Sequence, residues 1–449
     1  MKHDRLITMN KIKFLIVPVG LVLFLGGTAL GKFNQKLNAA EQTNAPISKG
    51  LKEALDKSFL QGNEWPLEVS LNNKPLKIEY TFNDKLTLYI RELLKQYRSD
   101  YTTITIIDNE TGKVLSAVGY SGRGNRFDKN LVITSTHPSA SLIKIVTTAE
   151  LLSNSTVKKE TMFDFRGRST TLFKYQLSQS RARRFDRSQT FETAFAKSNN
   201  VIFGKAAIRN TTSENLVKMA EGFGFNRPIM KELSFLKSEI HQAKDDYSLA
   251  ELASGYNNET MISPIHAAML ASVIANDGLL KTPKMISKVV DIKTGENLWI
   301  EDATAASRVI TPETSREMQE MMGMTIDGGT ARRSFRKMNN GYKDNLDIGG
   351  KTGSITGGTP FGKRDWFAAY ALPRDKSKGK GISISVMNVN VKKWHVKSTM
   401  LAKNVIEYYY KNINPIALNV NESRRAPSEV RVRKAKRHSI AKLVIRKKR

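Results

Sequence analysis

A serine three residues ahead of a lysine, in Ser141-Leu142-Ile143-Lys144, is the pairing in this chain with the clearest chemical use. One helical turn apart, the two side chains share a face with Thr148. The surrounding Leu142, Ile143, Ile145, Val146, Ala149, Leu151 and Leu152 are apolar, so the spacing predicts a helix buried in a core. A lysine in such a place is costly unless it is paired or loses its proton, and desolvation lowers its pKa. Lys144 then becomes a base able to take the hydroxyl proton of Ser141, which turns the serine into a nucleophile. The competing reading is a serine cap on a helix whose lysine reaches out to water. Ser-x-x-Lys occurs six times, starting at Ser141, Ser155, Ser234, Ser334, Ser377 and Ser439, so the spacing alone decides nothing. The apolar setting and the motifs that follow in order single out the first.

Two later triplets could complete a site. Ser198-Asn199-Asn200 lies where two helical patterns meet, which would present a hydroxyl and an amide from a loop. Ser70-Leu71-Asn72 and Ser213-Glu214-Asn215 repeat the spacing, and an ordinary helix junction capped by Ser and Asn competes. Lys351-Thr352-Gly353 also has a twin, Lys293-Thr294-Gly295, whose polar neighbours mark a hairpin turn. The copy at 351 follows Gly349-Gly350 and precedes Ser354, and small residues on a strand let a ligand backbone approach. There Lys351 and Thr352 could hold a carboxylate, and the amides of Ser141 and Ser354 could form an oxyanion hole.

The elements that must position these residues are legible in outline. A helix is expected over Leu86–Leu94, then a β-branched strand at 102–108, a turn at 109–113 and a strand at Val114–Tyr120. The nucleophile helix follows, then an arginine-bearing polar segment at 160–190 and a helix from Phe191 to Lys197. An apolar pattern at Val201–Ile208 comes next. Further helices are expected at Leu216–Phe223, at Ile265–Asn276 behind Pro264, at Arg316–Thr325 and at Ser398–Tyr410. Strands are expected on either side of the turn in Ile286–Ile300, and at Trp366–Leu372 and Ile382–Val389.

With Ser-x-x-Lys, Ser-x-Asn and Lys-Thr-Gly in that order, the chain resembles the serine penicillin-recognising family. The gaps are 57 residues (141 to 198) and 153 (198 to 351). The second gap resembles the transpeptidase domain of high-mass penicillin-binding proteins. Further likeness lies in Ser198-Asn-Asn-Val-Ile-Phe-Gly-Lys205, Ile262-Ser-Pro-Ile-His-Ala-Ala268, Gly329-Thr-Ala331 and Asp365-Trp-Phe-Ala-Ala-Tyr370. The flank Ala140-Ser-Leu-Ile-Lys-Ile-Val-Thr147 looks more like a carboxypeptidase.

The resemblance implies an α/β (α+β), β-lactamase/transpeptidase-like fold: a mainly antiparallel sheet flanked by helices, plus an all-helical subdomain, with the site between them. It implies a D,D-transpeptidase that cross-links peptidoglycan stem peptides of lipid II-derived strands through a Ser141 acyl-enzyme and is acylated by β-lactams. In the implied roles Lys144 receives the serine proton and Ser198 relays it. Asn200 binds the substrate amide, Lys351, Thr352 and Gly353 form the carboxylate-holding strand, and Ser354 lends its amide. A D,D-carboxypeptidase or endopeptidase, and a non-turnover penicillin-type sensor or scaffold, stay open as alternatives. A glycosyltransferase partner is a further open point, and no cofactor is implied.

Composition bounds the partners. At 449 residues and 40% hydrophobic content the chain can bury a large core. Having no cysteine, it has no disulfide, thiol nucleophile or thiolate metal site, and its six histidines show no ligand spacing, so no metal site is expected. The net charge of +30 suits an anionic partner. Twelve Lys/Arg against Glu429 fall between Arg424 and Arg449, so a basic tail is set apart at 419–449. That tail is read either as a solvated disordered extension or as a dock for anionic wall polymer or lipid.

At the other end, residues 1–32 carry a basic lead and the uncharged 18-residue run Phe14–Gly31. A membrane anchor is favoured over a cleaved signal peptide, because the run exceeds the usual ~7–15-residue signal core. The expected organisation is then a juxtamembrane linker at 33–76 with a short helix near Leu51–Phe59, a penicillin-binding domain at 77–418 and the tail. It places the catalytic domain outside the cytoplasm (periplasmic) on a single-pass inner-membrane helix, where nucleic acid is excluded as a partner.

Overall fold

The computed structural model describes residues 46–178, 186–302 and 306–417. Helix α1 (Lys49–Phe59) buries Leu51, Leu55 and Phe59 at helical spacing. It is followed by a hairpin of β1 (Glu68–Leu71) and β2 (Lys74–Tyr80). The short helix expected near Leu51–Phe59 is present, but the rest of the expected linker is folded as well, as the β1–β2 hairpin. Its apolar residues are sparse but alternate (Val69, Leu76, Ile78), and β2 pairs with a strand some two hundred residues away, a contact that local pattern cannot reveal.

Helix α2 (Asp84–Tyr97), capped by the Asn83 side chain, leads into β3 (Tyr101–Asp108), β4 (Val114–Ser121) and the short β5 (Arg126–Phe127). A 3-10 turn, Ala140–Ile143, runs into α3 (Lys144–Ser153). The polar segment at 160–190 contains β6 (Met162–Phe165) and β7 (Arg187–Thr190), which pair antiparallel. Then come α4 (Phe191–Ala196), α5 (Asn200–Asn210), α6 (Ser213–Gly222) and α7 (Asp246–Ser254). The expected all-helical part therefore also carries the β6–β7 hairpin.

Helix α8 (Pro264–Ala275) opens with Ser263 capping the amide of His266 and proline in the first turn, and all twelve of its residues are buried. Covered on every side by the rest of the protein, it is a core helix. It is followed by β8 (Ile286–Asp291), β9 (Asn297–Ile300), α9 (Pro312–Asp327) and the one-turn α10 (Arg332–Phe335). Last come β10 (Leu346–Gly357), β11 (Gly362–Pro373), β12 (Ile382–Asn390) and α11 (Ser398–Asn412).

The central sheet has six antiparallel strands in the order β10-β11-β12-β3-β4-β5, and a second sheet runs β1-β2-β8-β9. Alternation along β11 sends Phe367, Ala369 and Ala371 into one core, with α2 and α11, and Trp366, Ala368 and Tyr370 into the other, with α3 and α8. The sheet is sandwiched on both faces, and β10 forms one of its two edges, the short β5 the other. The expected antiparallel sheet flanked by helices is what the structure has. The expected anchor at 14–31 and the basic tail lie outside the described residues, among which no helix is long and apolar enough to cross a membrane.

Candidate active site

Ser141 sits in the 3-10 turn rather than within one continuous helix, and its side chain is half-buried. With three residues per turn, positions i and i+3 eclipse, so its hydroxyl lies 2.8 Å from Lys144 Nζ. The turn is entered through Ala140, held at φ +48°. Gly255, at φ +68°, lets α7 end against it: a Cβ there would lie 1.9 Å from the Ala140 carbonyl oxygen. Beside the turn, Trp366 Nε1 donates to the Pro138 carbonyl at 3.0 Å. His137 is wedged between the Leu131 carbonyl at its Nε2 and the guanidinium of Arg364 at its Nδ1. Burial and Arg364 push His137 down to about 3, so it stays neutral and serves as a spacer.

Lys144 is fully buried. Besides Ser141, its amine meets Asn200 Oδ1 at 2.7 Å and the Ser254 carbonyl at 2.6 Å. The last two groups can only accept, whereas the serine hydroxyl can also donate. A neutral amine has two N–H donors and one lone pair, which matches two acceptors and one hydroxyl. Burial, and secondly the charge of Lys351, hold Lys144 well below the ordinary lysine range. Thr148, expected on the same stripe, is buried away from these contacts, while Thr147 Oγ1 donates to the Ala253 carbonyl and ties α3 to α7.

Asn199 caps α5 through its side chain. It is flanked by Ser198, at φ +57°, and by Asn200. The amide of Asn200 is engaged at both ends, Oδ1 with Lys144 and Nδ2 with the Thr170 carbonyl at 3.0 Å, which ties the lysine to the segment before α5. Ser198 Oγ accepts from Lys351 Nζ at 2.9 Å, and the same amine donates to the Thr352 carbonyl at 2.9 Å. Desolvation brings Lys351 to about 7. Two phenylalanine rings line the amines: Phe203 lies 5.3 Å from Lys144 and Phe195 5.5 Å from Lys351.

On the edge strand β10, a Cβ at Gly353 would come 3.3 Å from the amide nitrogen of Ser141, so the strand runs directly beside the Ser141 backbone. Thr352 Oγ1 shares a 2.6 Å hydrogen bond with Thr330 Oγ1. Ser354 is exposed and its hydroxyl donates to the Arg364 carbonyl at 3.1 Å, so the side chain is turned to the neighbouring strand. Gly349 and Gly350 do not open the strand to a ligand as expected. Their missing Cβ atoms make room for the protein's own rings, Tyr370 over Gly349 and Phe367 over Gly350. The second Lys-Thr-Gly, at 293–295, is the β8–β9 turn, with Gly295 at φ +73° and the Asp291 carboxylate accepting from the amides of Lys293 and Thr294.

The structure thus brings Ser141, Lys144, Ser198, Asn200, Lys351, Thr352 and Gly353 to one cleft between β10 and the helices. Sequence reasoning missed two members. The Ser254 carbonyl is backbone and leaves no side-chain signature, and Thr330 stands in Gly329-Thr-Ala331, noticed as a likeness without a role. Among the described residues, no group of three or more His, Asp or Glu could hold a metal ion.

The profile of the family described as the penicillin binding protein transpeptidase domain matches residues 102–407, a span that includes every residue of this cleft. The chain belongs to that family. Among its relatives, stage V sporulation protein D of Bacillus subtilis is 26% identical over 235 residues, 51% of this chain and 34% of that protein. Peptidoglycan D,D-transpeptidase PbpA of Mycobacterium tuberculosis is 24% identical over 254 residues, 54% of this chain and 48% of that protein. Penicillin-binding protein A of M. tuberculosis, solved as a ceftriaxone acyl-enzyme complex, superposes with a TM-score of 0.58 at 18% identity, covering 74% of this chain and 79% of that one. This last likeness bears on the fold alone. The chain spans less than half the length of the curated relatives it matches.

Proposed function

We propose that this penicillin-binding transpeptidase-family protein is a peptidoglycan D,D-transpeptidase acting through Ser141. The observation that carries the reading is the fully buried amine of Lys144, hydrogen-bonded to the serine hydroxyl at 2.8 Å and held by burial well below the ordinary lysine range. Ser141 Oγ bonds to the penultimate D-Ala carbonyl carbon of a stem peptide while its proton passes to Lys144. The amides of Ser141 and Ser354 stabilise the oxyanion, a contribution of ~2.7–4 kcal/mol for one such donor in other enzymes. The C–N bond then breaks, and the leaving D-alanine amine takes the proton from Lys144 by way of Ser198. Lys351 and Thr352 hold the terminal carboxylate, whose charge favours the protonated form of Lys351. An acceptor amine attacks the resulting ester, releasing Ser141 and forming the cross-link. A β-lactam enters the same first step and stays as the acyl group, as the acyl-enzyme of the tuberculosis relative illustrates.

In this reading residues 1–32 anchor the chain in the cell membrane with residues 77–418 outside the cytoplasm, working on strands supplied by a glycan-polymerising partner. The basic tail at 419–449 docks on anionic wall polymer or lipid. The test is product analysis on a pentapeptide substrate with and without an amine acceptor. Cross-linked dimers in the presence of the acceptor are expected, and free D-alanine with trimmed monomers only would replace the transpeptidase by a carboxypeptidase.

A further inference from the structure

Away from the cleft, α9, α10 and the first residues of β10 border an open cavity of about 590 Å³, lined by five cationic and three acidic side chains. Its size is in the ~300–1,000 Å³ range of small-molecule sites. Its floor is apolar: Ile326, Phe335, Met338 and Leu346 are buried there. Two of the cations have partners, Arg316 with Glu313 at 3.1 Å and Arg374 with Asp347 at 2.9 Å. Arg332 and Arg336, one turn apart on the rim, have no carboxylate at ion-pair distance among the described residues, and Lys343 joins them by donating to the Arg336 carbonyl at 3.1 Å. An apolar floor under two unpaired guanidinium groups matches a ligand with an anionic head and an apolar body, since guanidinium pairs bidentately with carboxylate and phosphate alike.

The wall of this cavity is also a wall of the active site. The segment from Asp327 to Arg332 joins α9 to α10. Within it, Thr330 N donates to the Ala196 carbonyl at 3.1 Å, two residues before Ser198, and Thr330 Oγ1 holds Thr352. Gly329 is packed so closely on Ala196 that a Cβ would lie 2.4 Å from its carbonyl oxygen. Arg332 therefore stands two residues along the chain from Thr330, whose hydroxyl touches Thr352 of the Lys351–Gly353 strand.

We propose that this cavity is an effector site for a carboxylate or phosphate on an apolar body, and that its occupancy changes the rate at which Ser141 is acylated. The inference rests on the acyl-enzyme reading above. Binding of 4-phenylbutanoate and of phenyl phosphate to the full chain is measured by calorimetry, with 4-phenylbutanol and inorganic phosphate as controls, and fluorescent penicillin acylation is timed with and without saturating probe. One or both aryl anions are expected to bind saturably, more weakly in salt, and at least about tenfold more weakly in the Arg332→Gln/Arg336→Gln variant. The stronger head identifies the ligand class. Acylation is expected to change at least about twofold with probe in the native chain and not in the variant. No saturable binding, equal affinity in the variant, equal binding of the neutral alcohol, or an acylation rate indifferent to the bound probe overturns the proposal. Absence of penicillin labelling without any probe would instead strike the Ser141 reading, and the calorimetry stays readable in that case.

Discussion

At the scale of single residues, the decisive matter is which lysine carries a proton. In the proposed reaction Lys144 must be neutral to accept one, and burial with Lys351 nearby favours that form by lowering its pKa; as pH falls through that lowered value the base is lost, so acylation is expected to rise with pH on the acid side. Lys351 has the opposite requirement. Protonated below about 7 it attracts a carboxylate, and above that it loses its charge in the empty site. A bell-shaped profile of kcat/KM with its alkaline limb near 7 is therefore expected. In Lys351→Arg, whose side chain stays charged, that limb should vanish or move up by several pH units; an alkaline limb unmoved in the variant would assign it elsewhere. These roles were partly legible in the sequence, because an apolar window around Ser141 and Lys144 already implies desolvation. The pairing of Ser198 with Lys351 was not, since hydrogen-bond partners 153 residues apart leave no mark on either motif.

At the scale of elements, Ser141 owes its place to close backbone contacts. The 3-10 turn at 140–143 fits only because α7 ends in a left-handed glycine, so Gly255→Ala must push the Ala140 carbonyl aside. We expect it to destabilise the protein by about 1–3 kcal/mol and to slow penicillin acylation at least about tenfold, read by thermal melting and by the time course of labelling. Unchanged melting and labelling would mean the turn tolerates displacement. Most helices and strands were legible from periodicity, capping and β-branching, as Ser263-Pro264 before α8 and the alternation in β12 illustrate. α7 was not, and its loss hid the Ser254 carbonyl. Gly349 and Gly350 were misread as a ligand approach because a strand glycine alone cannot say whether an internal ring or an outside group fills the space.

At the scale of the molecule, the folded part begins earlier than the composition shift suggests. β2 is an inner strand of the second sheet, paired with β1 and β8, and α1 buries three large side chains in the main core. A chain starting at Lys77 should therefore melt at least about 5 °C below one starting at Ile47, since removing such buried groups costs ~2–5 kcal/mol apiece; equal melting temperatures would make α1 and β1 dispensable additions.

The claim beneath all of this is that one hydroxyl, activated by one buried amine, becomes the acyl carrier. Mass spectrometry of the whole protein after exposure to ceftriaxone, with peptide mapping, tests it most directly. The account predicts a single acyl adduct on Ser141, absent in Ser141→Ala and strongly reduced in Lys144→Met. An adduct on any other residue, or undiminished acylation of the Ser141→Ala variant, would contradict it.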